Sequence, residues 1–249
     1  MTKRLDRSRY QLEFDGSEPA SWVAHYLPQW SSREASAARV SFDPLVVRID
    51  DDQAPWSPEY DGSLRVSNLQ TGVRSGPVGS TSGQHPFRTD LVVHEEQPEQ
   101  RLYLPHFGLI EARVAALADS NCMVALWLIG FEDQPEQSGE LCIFEIFGRD
   151  VIVGAAAIVG LGVHPFNDPA LEDDFEKVAL IADVRQFHTY SAEWHAGGVS
   201  FFIDDALVYE TVQSPDYPMQ LMLNIYEFEP GGDYPKRFPI EFVRGYRRA

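Results

Sequence analysis

Cysteine is scarce: the chain holds two, Cys122 and Cys142, among 249 residues. That excludes a small fold stapled by disulfides and any zinc site built from several thiolates. Basic side chains are also few, 20 against 38 acidic ones, for a net charge of −18. Such a deficit of Lys and Arg argues against neutralising a phosphate backbone, so no nucleic-acid partner is expected. It equally disfavours docking on anionic membranes. Long apolar runs are missing. The most apolar stretch, Val151 to Val163, is short and rich in Gly and Ala, unsuited to spanning a bilayer. The N-terminus, Met1-Thr2-Lys3-Arg4-Leu5-Asp6-Arg7, leads into no apolar segment. No secretory signal is read there, and the chain is expected in the cytoplasm unless a leader was removed. Helical patterns are rare. Ser31 to Ala38 contains helix formers without an apolar stripe, and the acidic stretch Asn167 to Val178 has room for one helical turn. There is no internal repeat and no low-complexity tract. The Gly-rich stretch Gly72 to Gly83 lacks the Gly-Lys-Ser/Thr ending of a phosphate-binding loop and reads as a surface loop.

What is present is a core's worth of apolar side chains, 44% hydrophobic with 12% aromatic, which excludes disorder as the main state. The length suits one β-sandwich domain over residues 1–249. Short runs rich in Val, Ile, Leu, Phe and Tyr recur between Gly, Pro, Asp and Ser clusters. Val40–Phe42, Leu45–Ile49, Leu64–Val66, Leu91–His94 and Leu109–Ala115 are of this kind, as are Trp127–Ile129, Leu141–Phe147, His188–Trp194, Val199–Ile203 and Leu221–Tyr226. They read as strands of an all-β sandwich. His195-Ala196-Gly197-Gly198 and Asp204-Asp205-Ala206 read as the turns of two successive hairpins.

One strand-like segment, Gly139-Glu140-Leu141-Cys142-Ile143-Phe144-Glu145-Ile146-Phe147-Gly148, carries two Glu. Residues two apart on a strand share a face. Strict alternation therefore sets Glu140 and Cys142 on one face and drives Glu145 into the core with Leu141. A β-bulge between Cys142 and Glu145 restores the acid to the face of Glu140 and returns Ile146 to the core. The backbone from one Glu to the other then spans roughly 13–15 Å at about 3.3 Å per residue. Side chains leaning together bring the carboxyl groups to roughly 5–6 Å, near the separation used by retaining glycosidases. The alternative is two solvated Glu on an ordinary strand.

This segment resembles the Glu-x-Asp-x-x-Glu signature of glycoside hydrolase family 16. Other segments resemble that family's in the same order: Phe107-Gly108-Leu109-Ile110-Glu111-Ala112-Arg113-Val114, Val124 to Gly130, and Phe187-His188-Thr189-Tyr190-Ser191-Ala192-Glu193-Trp194. Phe201 to Val208 and Pro218-Met219-Gln220-Leu221-Met222-Leu223-Asn224 complete the set. The resemblance runs over about residues 100–246 and is loose before them. It implies a concanavalin-like jelly roll with a carbohydrate cleft on its concave sheet, acting on a polysaccharide as a monomer. The substrate it implies first is β-1,3 or mixed β-1,3-1,4 glucan, cut by a retaining endo mechanism. It makes Glu140 the nucleophile and Glu145 the acid/base.

It also suggests Glu111 and Arg113 as cleft residues that bond sugar hydroxyls, with a structural ion pair as the alternative. Trp127 is either a platform for sugar C–H groups or a core residue. His164 resembles a His beside the acid/base, and Trp194 and Asn224 either line the cleft floor or belong to the core. His188 reads as structural. The family's middle Asp is Cys142 here, which withdraws a charge that raises its neighbours' pKa. Lowered activity or a displaced pH optimum is expected, and a carbohydrate-binding homologue or a transglycosylase is the rival reading. The family's calcium position near the C-terminus falls on Glu241 rather than Asp, so a structural calcium is doubtful and no other cofactor is expected. A hairpin register that pairs Cys122 near Phe147 sets it too far from Cys142 for a disulfide. The loops Asn68 to Arg88 and Tyr226 to Lys236 are expected to shape the groove.

Overall fold

The computed structural model describes residues 3–249; Met1 and Thr2 of the charged N-terminal stretch lie outside them. In chain order the strands are β1 (Tyr10–Asp15), β2 (Arg39–Phe42), β3 (Leu45–Ile49), β4 (Arg65–Gln70), β5 (Gly72–Val73) and β6 (Gln100–Arg101). They continue as β7 (Gly108–Val114), β8 (Cys122–Gly130), β9 (Glu140–Phe147), β10 (Val151–Ile152), β11 (Ala156–His164) and β12 (Asp174–Leu180). The last are β13 (His188–His195), β14 (Gly198–Ile203), β15 (Ala206–Thr211), β16 (Met219–Glu227) and β17 (Lys236–Arg248). Among the described residues one α-helix occurs, α1 (Pro58–Asp61), and none is long and apolar enough to cross a membrane.

Two antiparallel sheets carry the architecture. The front sheet runs β10-β11-β9-β8-β16-β4, with β12 paired to β11. The back sheet runs β15-β14-β13-β7-β17-β3-β2, with β1 paired to β17. Apolar side chains at alternate positions of both sheets meet between them. Val124, Leu126 and Leu128 of β8 and Leu221 and Leu223 of β16 face Ile110, Ala112, Tyr190 and Phe201 of the back sheet in one buried cluster. This is the expected all-β jelly-roll sandwich, with its turns where the Gly and Asp clusters stand. Both anticipated hairpins form, and more tightly than anticipated: His195 pairs with Gly198, and Ile203 with Ala206.

Two segments depart from the sequence expectation. Asn167 to Val178 yields the edge strand β12 rather than a helical turn. Leu91 to His94 is not a strand. Leu91 and Val93 are buried in a second apolar cluster, formed by residues 26–93 against the outer face of the front sheet.

Candidate active site

The register around β9 contains the extra residue that the alternation required. Against β8, Ile129 faces Glu140, Trp127 faces Cys142, Leu126 faces Phe144 and Ala125 faces Glu145. Ile143 is left without a partner there. Against β11, His164 faces Glu140, Gly162 faces Cys142 and Gly160 faces Glu145, so three steps on β9 match two on β11. Leu141, Ile143, Phe144 and Ile146 all enter the core between the sheets. Glu140, Cys142 and Glu145 are thereby turned to the outer face of the front sheet. A bulge adds one unpaired residue and shifts the side-chain phase, which is why both carboxyl groups share a face.

Glycine makes the room. A Cβ at Gly162, whose φ is +143°, would lie 2.3 Å from the Asp174 carbonyl oxygen, and one at Gly160 would strike the Phe175 ring at 2.6 Å. Phe175 fills this space and stacks on His164, with ring centroids 4.6 Å apart. The His164 ring is oriented by Nδ1 donating to Asp173 at 2.5 Å.

Burial sets the charge state. Glu140 is 4% exposed. Its carboxyl is pushed up to about 8, by burial first and by the charge of Glu145 second. Burial also raises Glu145, while His164, Lys177 and Arg149 pull it back. The pair therefore retains a proton above the usual carboxylate range, and its two sites titrate together. Cys142 is fully buried and its thiol is raised well above the ordinary value, by burial and then by Glu140 and Glu145. It stays neutral between them. Both cysteines are free, and Cys122 lies at the far end of β8 from the Trp127–Cys142 pair.

Of the other anticipated residues, Trp127 is half-buried on the site face, its Nε1 without a hydrogen-bond partner. Its ring meets Tyr226 edge-on at 5.8 Å. Asn224 lies on the same face of β16, opposite Ala125. It is fully buried, and its Nδ2 donates to Asn68 Oδ1 at 3.3 Å.

Glu111, Arg113 and Trp194 lie elsewhere. Glu111 and Arg113 do share a face, but β7 belongs to the back sheet and that face points away from the carboxylate pair. Glu111 accepts from Arg7 at 2.7 and 2.9 Å and from the Tyr246 hydroxyl at 2.8 Å. Arg113 donates to Glu241 at 2.8 Å. They are structural polar contacts. Trp194 is packed in the core, its indole N–H bonded to Ser214 and the Pro215 carbonyl. His188 bonds Asp204 at 2.6 Å on the back sheet, a structural contact.

Sequence reasoning missed the N-terminal contribution. Tyr26, Trp56 and Phe87 pack in the cluster over the outer face of the front sheet, and Asp61 accepts from the Trp56 indole N–H at 3.0 Å. These residues come from irregular segments, where no periodicity announces a face. Lys177 was hidden in the same way, since β12 reads poorly as a strand.

A jelly-roll sandwich with paired acids on one bulged strand of its outer face is the frame of a carbohydrate-cleaving protein. Residues 103–239 match the family described as glycosyl hydrolases family 16. That is more than half of the chain, which belongs to this family. Among solved structures, it is similar to a GlcNAcα1-4Gal releasing endo-β-galactosidase from Clostridium perfringens. The identity is 25% and the TM-score 0.85, over 100% of this chain and 65% of that one. The chain thus spans somewhat less than two thirds of that protein's length. The laminarinase catalytic domain of Thermotoga maritima MSB8 is 19% identical at a TM-score of 0.66, over 97% of this chain and 100% of that one. The endo-1,3-beta-glucanase (laminarinase) catalytic domain of Thermotoga petrophila RKU-1 is 18% identical at 0.64, over 96% and 98%. These two show the same fold. No curated protein matches the chain.

Proposed function

We propose that the chain is a retaining glycoside hydrolase acting on a neutral β-linked glycan. The observation that carries this reading is the bulge at Ile143, which sets Glu140 and Glu145 on one face of one strand. In the first step Glu140 attacks the anomeric carbon while Glu145 gives its proton to the departing glycosidic oxygen. In the second, Glu145 takes a proton from water, whose oxygen displaces Glu140 from the sugar. The pair holds the one proton this cycle needs; burial places it on Glu140 in the free chain, so the cycle requires it on Glu145 by the time Glu140 attacks. Trp127 offers an apolar face to sugar C–H groups beside Cys142, and His164 orders the flank of Glu140.

β-1,3 or mixed β-1,3-1,4 glucan is one substrate class. A β-galactosyl linkage is the second reading, favoured by the superposition over the whole chain on a protein whose described activity is endo-β-galactosidase. Reducing-sugar release from a panel of β-glucans and β-galactosides, with product masses, separates the two, and product length reveals transglycosylation. Glu140→Gln is expected to abolish release, and Glu145→Gln to lower it by about 10²–10⁴-fold. Binding without release from any member of the panel would leave a carbohydrate-binding protein whose turnover was lost with the Asp-to-Cys change.

A further inference from the structure

Aromatic side chains form a continuous arc around one side of the carboxylate pair. It begins at His164, which faces Glu140 across the strand pairing. Phe166 follows at a centroid distance of 6.3 Å, then His85 at 4.8 Å and Phe87 at 6.4 Å. Trp56 lies 6.1 Å from Phe87, and Tyr26 4.7 Å from Trp56. Tyr226 continues it at 5.5 Å, and Phe228 at 6.2 Å. Phe228 stacks at 5.8 Å on Phe147, at the far end of β9. The arc thus runs from one end of the catalytic strand to the other, around its β8 and β16 side.

Behind the arc no sheet face is left for a ligand. Asn68, Gln70, Gln220 and Asn224, on β4 and β16, have no solvent exposure, and Met222 has 1%. The segment carrying Tyr26 closes over them: Asn68 Nδ2 donates to the His25 carbonyl at 2.7 Å, and the Leu27 N–H donates to Gln70 at 3.3 Å. On the opposite side the face stays open, with Phe175 half-buried and Lys177 exposed. The arc itself is held in place. His85 and Phe166 both adopt left-handed backbone, at φ 52° and 46°, and the His85 N–H donates to the buried Glu132 carboxylate at 2.8 Å. Left-handed conformations of non-glycine residues persist where the surroundings enforce them, often at ligand sites.

A groove that binds the interior of a polysaccharide needs accessible floor on both sides of the scissile bond. This one has it on one side. We infer that the site receives the end of a glycan chain against the aromatic arc and cuts at one fixed, short distance from that end. Phe87, Phe166 and Phe228 are the rings of the arc with accessible surface, placed to meet the terminal units. The ligand class is a neutral glycan with a free end, whose C–H faces meet the accessible aromatic rings.

This rests on the glycan reading of the site, and the test separates the two. The Glu140→Gln variant is titrated with linear β-1,3-glucan and with linear β-galactan, each fractionated by chain length, and the stoichiometry is read by calorimetry. One protein per chain at every length is expected. The wild-type chain should release a single short oligosaccharide from the start of the reaction, with viscosity falling slowly. Stoichiometry that rises with chain length, or an early ladder of products, overturns the end-binding inference and leaves the glycan reading intact. Absence of binding to every fraction overturns the glycan reading and this inference with it.

Discussion

Cys142 is where the chemistry of the site is most exposed to a single substitution. It is fully buried between two acids and remains a neutral thiol, so it adds no charge to the pair. Cys142→Asp introduces a third like charge, which raises the pKa of Glu140 and Glu145. Glu145 then keeps its proton to higher pH. The basic limb of the pH–rate profile is expected to move upward, with a higher kcat/KM on the best glycan of the panel; a slower or unchanged variant refutes this. Glu111 gives the contrasting case. It is 2% exposed, bonded to Arg7 and Tyr246 on the back sheet. Glu111→Gln is expected to cost about 1–3 kcal/mol of stability through lost charged hydrogen bonds, with kcat/KM within about two-fold of wild type. A large loss of activity at unchanged melting temperature would return Glu111 to the site.

Among the elements, β9 depends on its neighbour β11 for space as much as on its own bulge. Gly162→Ala places a methyl group against the Asp174 carbonyl, 2.3 Å from its oxygen, and pushes β12 away with Phe175. Crowding of that kind costs about 1–3 kcal/mol. Thermal melting should register it, and kcat/KM should fall as the stack on His164 loosens; an unperturbed melt and rate would show that β12 yields freely. The elements legible in the sequence were those with one face in the core. β7, β8, β9, β13, β14 and β16 are inner strands buried along most of their length, which makes their apolar runs conspicuous, and the bulge was legible because strict alternation would have driven Glu145 into the core. β12 was not legible. Its residues Asp174-Phe175-Glu176-Lys177-Val178-Ala179-Leu180 form an outer strand whose ladder is supplied by β11, and local composition does not encode a partner. Leu91 to His94 misled in the opposite sense. Its apolar residues are buried, but Val93 and His94 bond the carbonyls of Ser80 and Gln29 rather than a strand. Glu111 and Arg113 show the limit of periodicity: spacing places two side chains on one face without telling which sheet that face belongs to.

At the scale of the whole molecule, folding works against the ionised form of the site it builds. Residues 26–93 close over the front sheet, and Glu140 on that face is left 4% exposed. Glu140 moves from an ordinary value of 4.5 to about 8, so the folded chain holds a proton there that the unfolded chain releases. Stability follows the difference in bound protons. Below 4.5 both states are protonated and burial of Glu140 carries no charge penalty. As pH rises from there toward 8 the unfolded chain ionises first, so this contribution to stability is progressively lost, and it levels off once the folded pair has also ionised. Glu140→Gln removes the titration while keeping the shape of the neutral acid. The variant should melt with the wild type in acid and above it at neutral to mildly alkaline pH. A gap of about 2 kcal/mol corresponds to roughly 5 °C for a chain of this size. Melting curves of both proteins across that range decide the matter: a variant less stable at every pH would mean that Glu140 is ionised at little cost in the fold, with its charge compensated by groups around it.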